Sequence, residues 1–137
     1  MTDLEVGEPG GLRLDGLPAL PQAATVRALA LGLWADARVV ALWLGGSLAS
    51  GAGDQYSDID LRLAIAPEDL AAWEQPGLTA LLGAAPLAHQ FVRFSPAAFL
   101  HHLIAPNGDI LDLVVRSAEI APEEELSLVL GCRDTAF

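Results

Sequence analysis

The sequence predicts a layered α/β domain, and three observations carry that reading. Segments with helical periodicity alternate with segments of strand length. An unbroken apolar run, Val39-Val40-Ala41-Leu42-Trp43-Leu44, ends on the pair Gly45-Gly46. Two later strand-like segments each hold carboxylates among apolar neighbours: Asp58-Ile59-Asp60-Leu61 and Ile110-Leu111-Asp112-Leu113. A chain of 137 residues with 53% hydrophobic content is enough for one domain with a single core.

The elements follow in order. Residues 1–20, rich in Gly, Pro and acid, read as a loose lead-in, held where Leu17 and Leu20 meet a surface, and residues 21–137 form the single domain. After Pro21, the apolar residues Val26, Leu29, Ala30 and Leu33 recur at helical spacing and mark an amphipathic helix ending near Ala35. The apolar run is the first buried strand, followed by the glycine turn and a short helix from Ser47 to Ser50. The loop Gly51-Ala52-Gly53-Asp54 leads into the Asp58 strand, which ends near Ile65. Pro67 opens a helix with Glu68 and Asp69 in its first turn, and that helix must stop before Pro76. Leu78, Leu81 and Leu82 suggest another short helix, and His89 to Phe94 a strand. Ser95-Pro96 is expected to cap and start a helix running to about Ile104, and Asn107-Gly108 then turns the chain into a strand from Ile110 to Arg116.

Charge narrows the function. The net charge is -11, Lys is absent, and the basic residues are scattered Arg (Arg13, Arg27, Arg38, Arg62, Arg93, Arg116 and Arg133). Nucleic-acid binding needs a basic patch that displaces counterions, and no such patch can be assembled from sequence neighbours. The acidic balance favours a small cationic molecule or a basic protein as partner. Cys132 is the single cysteine, which excludes a disulfide framework and a multi-cysteine zinc site and fits a reducing cytoplasm. The acidic N-terminus lacks the pattern of a secretion signal, and the longest charge-free run, from Val39 to Gly53, is too short to span a bilayer, so no membrane association is expected. A mean hydropathy of +0.42 is high for such a chain and suggests a homodimer that buries an apolar face.

The carboxylates point to chemistry. Alternate side chains on a strand share a face, so Asp58 and Asp60 stand on one side while Ile59, Leu61 and Leu63 stand on the other. Two such charges about 4 Å apart repel by roughly 4 kcal/mol at an effective dielectric near 20, which calls for a compensating cation. Magnesium suits the task, because it takes oxygen ligands and usually combines one or two carboxylates with substrate phosphates. Gly45 and Gly46 let the backbone approach a ligand, and Ser47 adds a hydroxyl and a helix-start amide for phosphate oxygens. The same parity puts Asp112 on one face with Ile110, Val114 and Arg116. Adjacent strands would bring Asp58, Asp60 and Asp112 together, whereas Asp109 sits in the turn and is the weaker member. Arg62 and Arg116 lie on the acidic faces, either balancing charge or contacting a triphosphate.

Gly45-Gly46-Ser47 with Asp58-Ile59-Asp60 resembles the signature of the polymerase-β-like nucleotidyltransferase superfamily, and Ile110-Leu111-Asp112-Leu113 looks like its third-carboxylate strand. Over about residues 22–116 the chain is similar to the small bacterial branch, which holds aminoglycoside adenylyltransferases and minimal nucleotidyltransferases that act as antitoxins. The resemblance implies an α+β nucleotidyltransferase fold with a mixed sheet flanked by helices, and two magnesium ions held by Asp58, Asp60 and Asp112, the catalytic residues. It also implies ATP or another nucleoside triphosphate as donor, bound at Gly45, Gly46, Ser47 and Arg62. The expected reaction moves AMP onto a hydroxyl of an aminoglycoside-like small molecule, with Asp112 taking the hydroxyl proton. A second expectation, a minimal nucleotidyltransferase that adenylylates a protein or serves as a silent binding or antitoxin subunit, rests on two departures. Leu48-Ala49-Ser50 follows the motif Ser where Arg is frequent, and a helical acceptor domain would have to come from elsewhere.

Other residues read as structural. His101 and His102, adjacent on the expected helix, diverge by about 100° and lack zinc-site spacing, so they and His89 are expected at the core edge or surface. Asp54, Asp58 and Asp60 fail as a calcium loop because Ile59 and Ile65 occupy the glycine and glutamate positions. Trp34, Trp43 and Trp73 are expected in the core, with Trp73 an alternative interface anchor. Glu123-Glu124-Glu125 reads as a solvated helix start.

Overall fold

The computed structural model describes residues 11–119 and 128–133. Helix α1 (Gln22–Trp34) leads into β1 (Val39–Gly45), the short α2 (Gly46–Ser50) and β2 (Ile59–Ile65). A 3-10 helix (Pro67–Trp73) and α3 (Leu78–Leu82) precede β3 (Ala88–Ser95), β4 (Ala98–Ile104), β5 (Ile110–Ser117) and β6 (Leu128–Cys132). The strands form one mixed six-stranded sheet in the order β3-β4-β5-β2-β1-β6. All neighbours are antiparallel except β2 and β5, which run parallel with Ile59 opposite Leu111 and Asp60 opposite Asp112. The expected layered α+β architecture is therefore present, with the Asp58 and Asp112 segments side by side at its centre.

One face of the sheet is the core. Ile59, Leu61, Leu63 and Ile65 of β2 pack with Leu111, Leu113 and Val115 of β5 and with Leu42 and Leu44 of β1, beneath Val26, Leu29 and Leu33 of α1. Each is buried. On the other face a smaller cluster of Ala41, Trp43 and Ala64 fills the middle of β1 and β2. Trp34, Trp43 and Trp73 are all core residues, and Trp73 at 5% exposure is no surface anchor. Among the described residues no helix is long and apolar enough to cross a membrane.

Three features differ from the sequence expectation. Residues 98–104 form a strand, not a helix, because Phe99, His101 and Leu103 alternate inward with period two. The Ser95 hydroxyl that suggested a helix cap does accept a backbone N–H, that of Ala97 at 3.1 Å, but it closes the two-residue hairpin turn between β3 and β4. Strand β6, unforeseen, lies beside β1, and its Gly131 is required because a Cβ there would sit 2.8 Å from the Trp34 ring. In the lead-in the anchors are Leu12 and Leu14, both buried. Arg13 donates its N–H to the Leu130 carbonyl at 2.7 Å, whereas Leu17 and Leu20 are only partly covered. The expectation for Glu123-Glu124-Glu125 lies outside the described residues.

Candidate active site

Register fixes the site. On the face opposite the core, Gly45 of β1 pairs with Asp60 of β2, Asp60 with Asp112 of β5, Asp112 with His102 of β4, and His102 with Gln90 of β3. These residues make one row across the sheet. Hydrogen-bonded strands lie about 4.8 Å apart, so the Asp60 and Asp112 carboxylates are near neighbours in the row.

Each carboxylate carries a partner. Arg62, two residues along β2 and therefore on the same face, donates from Nε to Asp60 Oδ1 at 3.2 Å and from Nη2 to Asp60 Oδ2 at 3.0 Å. His102 Nδ1 meets Asp112 Oδ1. Both acids keep partial access, with side-chain exposures of 23% for Asp60 and 33% for Asp112. Asp58, exposed just ahead of β2, makes no hydrogen bond or ion pair among the described residues. Arg116 lies further along the Asp112 face, beside Ala64 and Ala98.

Glycine is needed where β1 turns into α2. Gly46 has φ +69°, a left-handed conformation, and a Cβ on it would come 3.4 Å from Asp60 Cβ and 3.5 Å from Asp60 Oδ2. At Gly45 a Cβ would lie 3.0 Å from Arg62 Nε, so the guanidinium lies flat on bare backbone. The two glycines thus keep a cradle open over the Asp60–Arg62 pair. Ser47, exposed in the first turn of α2, follows directly, while buried Leu48 anchors that turn from beneath.

The loop before Asp58 is held from α1. The Gln22 side chain, 2% exposed, donates Nε2 hydrogens to the carbonyls of Asp54 at 2.8 Å and Ser57 at 3.0 Å. Within the loop, Asp54 N–H donates to Ser57 Oγ at 2.9 Å and Tyr56 N–H to Asp54 Oδ1 at 2.9 Å. Gln22 gave no sequence signal beyond a polar residue opening an amphipathic helix.

His102 was missed for a definable reason. A helix would have splayed the adjacent histidines by about 100°, but a strand sends them to opposite faces. His102 joins the acidic row. His101 is fully buried on the core side, where its Nε2 is 2.8 Å from the Trp73 carbonyl and its Nδ1 2.9 Å from His89 Nε2. Burial pushes the His101 pKa below its ordinary value, the bond to the Trp73 carbonyl opposes that shift, and the neighbouring His89 adds to it. His101, expected at the core edge or surface, instead lies fully buried.

Among the described residues no group of three or more His, Cys, Asp and Glu side chains is gathered closely enough to hold a metal ion. The Asp60–Asp112 pair beside an open backbone cradle nevertheless matches the magnesium pattern of one or two carboxylates completed by phosphate oxygens. Carboxylate oxygens suit a hard divalent cation better than a soft metal.

No protein-family model matches the chain, and no curated protein does. The structure is similar to that of an aminoglycoside 6-adenyltransferase from Bacillus subtilis, with a TM-score of 0.48 and 14% sequence identity, over 69% of this chain and 33% of that one. The chain therefore spans about a third of the length of that solved protein.

Proposed function

We infer that this chain is a metal-dependent nucleotidyltransferase that moves a nucleoside monophosphate, AMP from ATP, onto a hydroxyl of a small cationic acceptor such as an aminoglycoside-like antibiotic. The observation that carries the reading is the pairing of Asp60 with Asp112 across parallel strands, at the mouth of the Gly45-Gly46 turn. Asp60 and Asp112 would hold magnesium with the donor phosphates, and Asp58, exposed at the entrance to β2, would join them there. When bound, the metal supplies positive charge against the charge that builds on the phosphoryl oxygens.

The rest falls to the chain. Gly46 and Ser47 present backbone and hydroxyl to the phosphates without a side chain in the way. Arg62 neutralises Asp60 before donor binds, and its guanidinium is within reach of the phosphates that displace it from the carboxylate. His102 engages Oδ1 of Asp112 and leaves Oδ2 to take the proton of the acceptor hydroxyl. The hydroxyl oxygen forms a bond to the α-phosphorus, the bond from that phosphorus to the bridging oxygen breaks, and pyrophosphate leaves.

A second reading follows from the same pairs. Arg62 pairs with Asp60 and His102 bonds to Asp112, so both acids have partners without any metal ion, as a silent binding or antitoxin subunit would require. Incubation with magnesium, labelled nucleoside triphosphates and a panel of aminoglycosides and lincosamides separates the two. Release of pyrophosphate with a nucleotidylated product by mass spectrometry is expected, and its absence with every donor and acceptor, together with no magnesium-dependent nucleotide binding, would favour the silent subunit.

A further inference from the structure

The sheet has two edges, and the chain treats them differently. Strand β6 is short, five residues, and its outer side is occupied, because Leu12 bridges Gly131 and the Arg13 N–H donates to the Leu130 carbonyl at 2.7 Å. That edge is capped. Strand β3 is eight residues long, about 27 Å at roughly 3.4 Å per residue, and pairs only with β4. Among the described residues no group outside β4 bonds to the main chain of residues 88–95, so alternate N–H and C=O groups on its outer side lack a partner. That edge is open.

The common safeguards of an open edge are weak here. Strand β3 holds neither Pro nor Lys, its bulge between Arg93 and Ser95 falls at its end, and its one formal charge, Arg93, is paired with Glu74 at 2.7 Å. Six large apolar side chains are exposed among the described residues, and three of them lie along this edge: Leu87 at 67%, Phe94 at 59% and Phe91 at 39%. Phe91 is also held in place, with ring centroids 5.3 Å from Phe99 and 5.4 Å from His101 and the Arg93 guanidinium over its face.

Charge and connectivity single out the occupant. No Asp or Glu occurs between Glu74 and Asp109, a stretch that contains all of β3 and β4 and all three histidines. With a net charge of -11, two copies of the chain repel least when they meet there. A contact from β3 to β6 would string copies into a filament, but the cap on β6 blocks it. A contact from β3 to β3 closes on itself.

We propose that two copies of this chain join edge to edge, β3 pairing antiparallel with β3 about a two-fold axis, so that their six-stranded sheets become one continuous sheet. Main-chain hydrogen bonds supply the affinity, and Leu87, Phe91 and Phe94 of both copies are covered at the seam. Pairing of the edges does not depend on the transfer reaction.

Sedimentation equilibrium and hydrogen exchange test it on the wild type. A mass of twice 14.3 kDa is expected at submillimolar concentration, with slow exchange at alternate β3 amides that is lost on dilution. Leu87→Lys and Phe94→Lys, which set like charges at the seam, are each expected to weaken the dimer by roughly ten-fold or more. Val129→Lys, exposed on the capped edge, is expected to leave the mass doubled. A mass of one chain or of more than two, β3 amides that exchange at the same rate at every concentration, or a dimer untouched by both edge variants or broken by Val129→Lys would overturn the proposal. The wild-type mass and exchange pattern decide it even where a variant does not fold.

Discussion

On β2, Ile59, Leu61, Leu63 and Ile65 are sealed under α1, while Asp60 and Arg62, one residue out of step, stay partly open on the opposite face. On β5 the same division separates Leu111, Leu113 and Val115 from Asp112 and Arg116. The covered face holds the larger of the two buried apolar clusters, so stability is concentrated there. The open face carries its acids as pairs with Arg62 and His102, in a row where an altered charge is expected to change ligand binding far more than folding. A division of this kind lets a small domain keep two acidic side chains side by side, each with a partner of its own.

Substitutions that act on one face and spare the other test this division. The largest effect is expected from Asp60→Asn or Asp112→Asn. Either should lower magnesium-dependent pyrophosphate release by about 10³-fold, roughly 4 kcal/mol of transition-state stabilisation, while the melting temperature stays within a few degrees. Activity preserved in both variants, or a collapse of the fold in either, would erase the distinction. The converse is Leu61→Ala on the covered face. It should cost about 3 kcal/mol by urea denaturation while leaving the activity of the folded fraction near wild type.

Gly46→Ala sits on the boundary and should show both effects at lower amplitude. The left-handed backbone and the 3.4 Å approach to Asp60 predict a loss of about 1–2 kcal/mol in thermal melts and a reduced affinity for nucleotide. A fully wild-type variant would show that the cradle has no role.

The smallest effect is one of pH. His101 is buried with its pKa held below the ordinary 6.5, so the unfolded chain takes up a proton first as pH falls. Its neutral state therefore supports the fold fully above pH 6.5, and that support is lost as pH drops from 6.5 through the depressed folded value. His101→Phe should flatten the pH dependence of stability below 6.5, measured by denaturation at a series of pH values. An unchanged slope would remove His101 as its source.

The centre of the fold was legible because its signals are local. Strand parity alone put Asp60 and Asp112 on polar faces, and the glycine pair marked the sharp exit from β1. Whether the two acid strands were neighbours was not local information, since β3, β4 and two short helices intervene in sequence between them. The outer strands were harder. Residues 98–104 alternate cleanly, but Ser95-Pro96 makes a turn and a helix start by the same hydroxyl-to-amide bond, and only pairing with β5 decides between them. That one choice hid His102 from the site. Strand β6 is short and contains Gly131, whose meaning depends on a Trp34 ring that arrives from nearly a hundred residues away.

The central claim is that the Asp60–Asp112 pair holds a metal-bound nucleoside triphosphate. Calorimetric titration of magnesium with α,β-methylene ATP, a donor that cannot release pyrophosphate, tests it without an acceptor. A saturable, magnesium-dependent isotherm in the wild type that vanishes in Asp60→Asn/Asp112→Asn is the predicted result. Nucleotide binding of equal strength in that double variant, or in the absence of any divalent metal, would contradict it.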